Sequence, residues 1–152
     1  MNIKFELIYP YIPYLLGGIL VTLQIAIAAA LLGSLLALIF SLLSRKGGIT
    51  QFLIKAFIDF FRGTPLLFQL AFFHYGIPQL TGWLSTPYIS ALIIFSLNSS
   101  AYLSEILRAG IESIDKGQIE AAHALGVRNW AITFNIIIPQ ALRNVLPAIM
   151  NE

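Results

Sequence analysis

Tyr14–Leu43 reads YLLGGILVTLQIAIAAALLGSLLALIFSLL, and it lies within a longer interval, between Glu6 and Arg45, that holds no formally charged residue. A helix needs only about 20 predominantly apolar residues to cross the hydrocarbon of a bilayer. A cleaved signal peptide also follows a basic residue, as Lys4 precedes this stretch, but its apolar region runs only about 7–15 residues. Burial in a large soluble core fails on other grounds, because a chain of 152 residues cannot surround several helices that are apolar on every side. The bilayer is the solvent this stretch demands.

The composition agrees. Charged residues make up 11% of the chain and hydrophobic ones 58%, whereas a soluble domain carries about 25% charged residues. So few charges cannot cover a water-facing surface. The chain has no cysteine, which removes disulfide frameworks, thiolate metal sites and cysteine nucleophiles. A net charge of +2 does not by itself point to nucleic acid. The expected fold class is all-α, a polytopic helical integral membrane protein forming a single transmembrane domain.

Outward from the first span, at about 14–43, the chain meets Ser44, Arg45, Lys46, Gly47 and Gly48, a loop on one side of the membrane. From Gln51 to Arg62 the polar residues Gln51, Lys55, Asp59 and Arg62 recur at helical spacing, opposite Phe52, Leu53, Ala56, Phe57, Phe60 and Phe61. That pattern is an amphipathic helix at the interface. Asp59 and Arg62, at i and i+3, are placed to pair. Gly63, Thr64 and Pro65 follow; Thr64 can cap a new helix with Pro65 at its first position, or the three can kink a continuous one. The second span is expected at about 55–77 and the third at about 88–107. A polar segment then holds two short helices within about 112–139, and a fourth span starts near 141.

Lys4 is alone on the N-terminal side, and the connection between spans two and three has no basic residue. Arg45, Lys46, Lys55, Arg62, Arg108, Lys116, Arg128 and Arg143 fall on the other side or at its edge. Because cytoplasmic loops are enriched in Lys and Arg, the N-terminus is expected to face outward. Tyr11, Tyr14, Tyr75, Trp83 and Tyr88 suit the outer interfacial belt. His74 reads as an interfacial hydrogen-bonding group, and no metal site is expected.

The polar segment is the most informative one. Gly117–Pro139 reads GQIEAAHALGVRNWAITFNIIIP. Ser113 or Asp115 can cap its first helix, Gly126 fits the left-handed position that closes it, and Asn129 can cap the next. Ala121 and Ala122 offer a small-residue face to another protein. A helix-turn-helix that binds DNA has a similar outline, but Trp130–Ile138 carries no Arg, Lys or Gln to contact phosphates or bases.

This stretch resembles the cytoplasmic EAA loop of importer permeases of the ATP-binding cassette class, whose pattern is Glu-Ala-Ala, three residues, Gly, nine residues, then Ile-x-Leu-Pro. Here the pattern falls on Glu120, Ala121, Ala122, Gly126, Ile136, Ile138 and Pro139, with Ile138 in place of leucine. DFFRGTPLLFQL at Asp59–Leu70 and NSSAYLSEILRAGIESIDKGQ at Asn98–Gln118 resemble the branch of that family which imports polar amino acids of the histidine, glutamine and arginine type. The resemblance implies a permease subunit in the cytoplasmic membrane, ending about two spans short of its family. It also implies docking of the loop on a separate cytoplasmic ATPase, pairing with itself or a similar permease, and an extracytoplasmic amino-acid-binding protein. No glycine-rich phosphate loop occurs in the sequence, so this chain is expected to be no enzyme and to need no cofactor.

Asn98, Tyr102 and Glu105 stand at i, i+4 and i+7 and form a polar stripe on the third span. Such a stripe joins helices through hydrogen bonds or, with Ser99 and Gln69, lines a path for the ammonium and carboxylate groups of a substrate. Both readings stay open from the sequence. A membrane-anchored regulator and a non-energised channel or carrier are the alternatives from other classes.

Overall fold

The structure, a computed structural model, describes residues 8–44 and 47–151. Among these residues all regular structure is helical. Helix α1, Ile12–Ser44, follows a single 3₁₀ turn. Helix α2 is Gly48–Gly63 and α3 is Leu66–Thr81, with a π-helical stretch at Phe72–Gly76. Helix α4 is Pro87–Glu112, α5 is Lys116–Ala124 and α6 is Asn129–Asn151, with a second π-helical stretch at Thr133–Ile137. Tyr9–Ser44, Pro87–Glu112 and Asn129–Asn151 are long and apolar enough to cross a bilayer, and α2 with α3 makes a fourth crossing if counted as one bent span. The chain is a multi-pass helical membrane protein.

The α1–α4 seam organises the bundle. In lipid no hydrophobic force drives helices together, so close backbone approach between small residues must do so. On α1 the buried residues are Ala29, Gly33 and Ala37, at i, i+4 and i+8. A Cβ added at Gly33 would lie 2.7 Å from the Cβ of Ser99 and 3.1 Å from the carbonyl oxygen of Ser96. Ser96, Ser100 and Ser104 repeat the same spacing on α4 and are buried. Their hydroxyls donate back to their own helix, to Leu92, Leu97 and Ser100 carbonyls at 2.6–2.7 Å. Small size and internal satisfaction let these polar residues face another helix without an unpaired group.

A break separates α2 from α3. Thr64 (φ −119°, ψ 146°) is extended, as the clash with the following proline ring requires, and Pro65 (φ −63°, ψ 132°) is extended beside it. The two helices meet at 105°. The Thr64 hydroxyl donates back to the Phe60 carbonyl at 2.8 Å, closing α2 instead of capping α3. The second span, expected over 55–77, takes the form of a bent pair whose second arm, α3, rises about 24 Å. An aromatic contact holds α2 against the end of α1, with Phe40–Phe57 ring centres 5.0 Å apart, and Phe61 packs on Phe57 within α2 at 4.5 Å.

Two other boundaries differ from expectation. Helix α4 begins where Thr86 accepts a hydrogen bond from the Ile89 amide, with Pro87 in its first turn, and it runs on past 107 to Glu112. There Arg108 bridges Glu105 and Glu112, pairs one turn apart that support a helix end. The second short helix and the start of a fourth span, expected to be separate around 139–141, form the continuous α6. Pro139 does not break it, because the Ile138 amide already reaches back five residues to Thr133. Where α6 crosses α4, a Cβ on Gly110 would meet Val145 Cγ1 at 2.1 Å.

Candidate functional site

The hairpin α5–α6 leaves the bundle at the end of α4, where the basic residues gather. Asp115 caps α5 by accepting from the Gly117 amide at 2.6 Å, while Ser113 donates to the Gly110 carbonyl. At the other end Gly126 has φ +71°, a conformation glycine enters without a Cβ penalty. The Gly126 amide donates to the His123 carbonyl (2.9 Å) and the Val127 amide to the Ala122 carbonyl (3.0 Å). This is the paired closure of a Schellman motif. Asn129 is the first residue of α6; the position before it belongs to Arg128, which makes no side-chain cap. The expected Asn129 cap is thus corrected.

Exposure divides the motif residues. Glu120 and Ala121 are exposed, but Ala122 is buried, only 5% exposed, and Ile114 and Ile132 are buried too. The paired-alanine face expected from sequence is split, with one alanine outward and one turned into the chain. Ile136 and Ile138 are half-buried and Pro139 is exposed. Sequence reasoning missed the apolar rim around Gly126: Leu125 is 83% exposed, and Trp130 and Phe134 are exposed as well. Large apolar side chains breaking a polar segment were the available signal. Such exposure marks an interaction surface. The helix-turn-helix outline does not extend to a recognition helix, since α6 runs on into a membrane-length apolar helix.

The polar stripe of α4 faces the α2–α3 corner. Gln69 is 4% exposed, and its Nε2 donates to the Phe61 carbonyl (2.8 Å), the Thr64 carbonyl (3.1 Å) and the Thr64 hydroxyl (2.7 Å). Asn98 Nδ2 donates to Gln69 Oε1 at 3.2 Å. One turn along, the Arg62 guanidinium lies 5.5 Å from the Tyr102 ring centre, and its Nη1 is 3.7 Å from Glu105 Oε1. Arg62 therefore pairs across to α4, not with Asp59 as the spacing predicts. Gln69, Asn98, Tyr102 and Glu105 form one seam. Ser99 lies apart, against Gly33 on α1.

A cleft of about 520 Å³ opens beside that seam, between the end of α1, α2 and α4. Lys55, Asp59, Glu105, Arg108 and Glu112 contribute to its wall, so it offers both signs of charge. Near the other end of α3, His74 Nδ1 is 2.9 Å from the Ser90 hydroxyl, which also meets Ser85 at 2.6 Å. This fits the hydrogen-bonding role expected of His74.

Crossing helices, a broken span and an apolar-rimmed hairpin define a polytopic helical membrane protein. Residues 29–152 match the family model described as binding-protein-dependent transport system inner membrane component, and the chain belongs to that family, the membrane subunits of ATP-binding cassette importers. It is 43% identical to the arginine transport system permease protein ArtQ of Bacillus subtilis (strain 168), over 100% of this chain and 70% of that one. It is 37% identical to the glutamate/aspartate import permease protein GltK of Escherichia coli O6:H1, over 95% of this chain and 68% of that one. A crystal structure of an amino acid ABC transporter with histidines superposes with a TM-score of 0.88 at 35% identity, covering 99% of this chain and 71% of that one. The chain spans 66% to 70% of the length of the curated relatives it matches.

Proposed function

We propose that this chain is the membrane-spanning part of an importer that carries polar amino acids across the cytoplasmic membrane, driven by a separate ATPase. The observation that carries the reading is the hairpin itself: a helix closed by Gly126 that exposes Glu120 and Ala121, with Leu125 at its end and Trp130 at the start of α6 exposed beside them. The positive-inside rule puts that end in the cytoplasm. Leu125 and Trp130 enter an apolar groove on the ATPase, Ala121 permits close approach, and Glu120 accepts a charge-assisted hydrogen bond at the rim. Closure of an ATPase pair then displaces the hairpin and, through it, α4 and α6. ATP is hydrolysed by that partner and not by this chain.

A second copy or a similar permease completes the path, and an external binding protein delivers the substrate. Asn98, Tyr102 and Glu105, with the mixed charges of the adjoining cleft, suit an ammonium and a carboxylate moving together; Gln69 contributes by holding Asn98, while Ser99 packs against Gly33 of α1 and stands outside this path. The test is co-purification of the full-length permease with the ATPase encoded beside it, then uptake of labelled arginine, glutamine, glutamate and leucine into proteoliposomes. Retention of the ATPase, its loss in Leu125→Glu, and ATP-dependent uptake of a polar solute but not leucine are expected. A permease that inserts normally and never retains the ATPase refutes the coupling role.

A further inference from the structure

The hairpin is tied to the bundle at more than its base. Gln140 Nε2 on α6 donates to Gln118 Oε1 on α5 at 2.8 Å and to the Ile136 carbonyl at 3.1 Å. One turn further along α6, Asn144 Nδ2 donates to the Ser113 hydroxyl at 2.9 Å. That hydroxyl donates onward to the Gly110 carbonyl at 2.7 Å. Beside this polar line, one residue over, Ala141 and Val145 are buried where α6 crosses Gly110. Polar bridges and apolar contact therefore run in parallel along one side of α6.

The two bridges straddle the corner at Ile114 and Asp115, where α4 turns into α5. Ser113 stands on the α4 side and Gln118 on the α5 side. We infer that Gln140 and Asn144 are positioning residues that brace this corner from a third element, so that α5 and the adjoining ends of α4 and α6 move as one body. The inference rests on the coupling role proposed above and names the parts that carry the displacement. A hairpin held only at its base would swing about the corner, and a push on Leu125 would be absorbed in the swing. With α5 tied to α6, the three helices close a triangle whose angle cannot change unless a bridge breaks. Amide and hydroxyl partners suit the task, being uncharged and set at a water-facing edge. Helix α5 keeps its own closures, Asp115 at one end and Gly126 at the other, so losing a bridge leaves the helix standing.

Residues 1–152 contain no cysteine, so labelling is site-specific once any cysteine elsewhere in the assembly has been replaced. Spin labels are placed on His123→Cys in α5 and Leu146→Cys in α6 of the full-length permease, assembled with its ATPase in nanodiscs. Distances are read without nucleotide and with ATP trapped. The unaltered brace gives one narrow distance in both states. In Gln140→Ala the narrow distance is lost on ATP binding, and it returns in the pair Gln118→Glu with Gln140→Lys, where an ion pair replaces the amide bridge. In proteoliposomes offered labelled arginine, glutamine and glutamate in parallel, Gln140→Ala lowers uptake per ATP hydrolysed severalfold. The Glu/Lys pair restores it, which a folding defect would not allow. A Gln140→Ala distance as narrow as the unaltered one in both states overturns the brace. Failure of the unaltered permease to retain the ATPase is a different result; it overturns the coupling role, and the inference falls with it.

Discussion

Gly33→Ala puts one methyl group into the α1–α4 seam. Its Cβ would lie 2.7 Å from Ser99 Cβ, 3.1 Å from the Ser96 carbonyl oxygen and 3.3 Å from the Ser100 amide nitrogen. None of these atoms swings away on a side-chain torsion, so relief must come from moving one helix against the other. Carbon–carbon contacts are comfortable at about 3.5–4.0 Å, so the local opening is about 1 Å, and a gap of that size forfeits roughly a quarter to a half of the attraction of each contact it widens. Overpacking of this kind costs about 1–3 kcal/mol. Taking about 2 kcal/mol, the folded-to-unfolded ratio falls roughly thirtyfold. Stability is read by SDS titration in bicelles, following energy transfer between labels on Leu20→Cys and Leu84→Cys. Gly17→Ala, with nothing within 4 Å of its added Cβ, is the control and is expected to change stability by less than about 1 kcal/mol. Equal stability of the two alanine variants would refute a seam set by backbone approach at Gly33.

Gln69→Leu removes the donor held by the Phe61 and Thr64 carbonyls and takes from Asn98 the nearer of its two acceptors, leaving the Phe61 carbonyl at 3.4 Å; the same titration should show a loss of about 1–3 kcal/mol. Gly126→Ala forces an L-residue into a left-handed position at about 1–2 kcal/mol. It should weaken ATPase retention while membrane insertion, measured by carbonate extraction, stays normal. Asp115→Ala removes the cap on α5 at about 1 kcal/mol, and hydrogen exchange at the amides of Gly117 and Gln118 should accelerate with no change along α4.

The spans and the turn at Gly126 were legible because each carries contrast: charge-free runs against basic loops, and a glycine closing a short polar helix. Packing direction was not. On α1 the lipid-facing residues and the helix-facing ones are alike apolar, so no hydrophobic stripe marks the seam. Only Ala29, Gly33 and Ala37 betray it, by size. The bend at Thr64–Pro65 was readable as a break, but its angle depends on Gln69 reaching back to Phe61, a contact eight residues away that spacing alone does not reveal. Arg62 had two carboxylates to choose from. It took the one on α4, beside the Tyr102 ring, over the neighbour on its own helix. The outward Leu125 and the inward Ala122 were assigned by tertiary packing of a segment whose composition is mixed throughout.

The π-helical stretches at Phe72–Gly76 and Thr133–Ile137 each lie just ahead of a proline, Pro78 and Pro139. Each accommodates about one residue more than a regular helix would, and one residue is about 100° of rotation. In α6 the stretch lies between the part that carries Trp130 and the part that seats Val145 against Gly110. The angular phase of the partner-facing end is thereby offset from that of the bundle-facing end within one continuous rod. Removing a single residue from Thr133–Ile137 would turn the outer end by about a quarter of a circle, aiming Trp130 away from the direction it now faces, and would leave Pro139 inside a regular helix, where its ring kinks the rod.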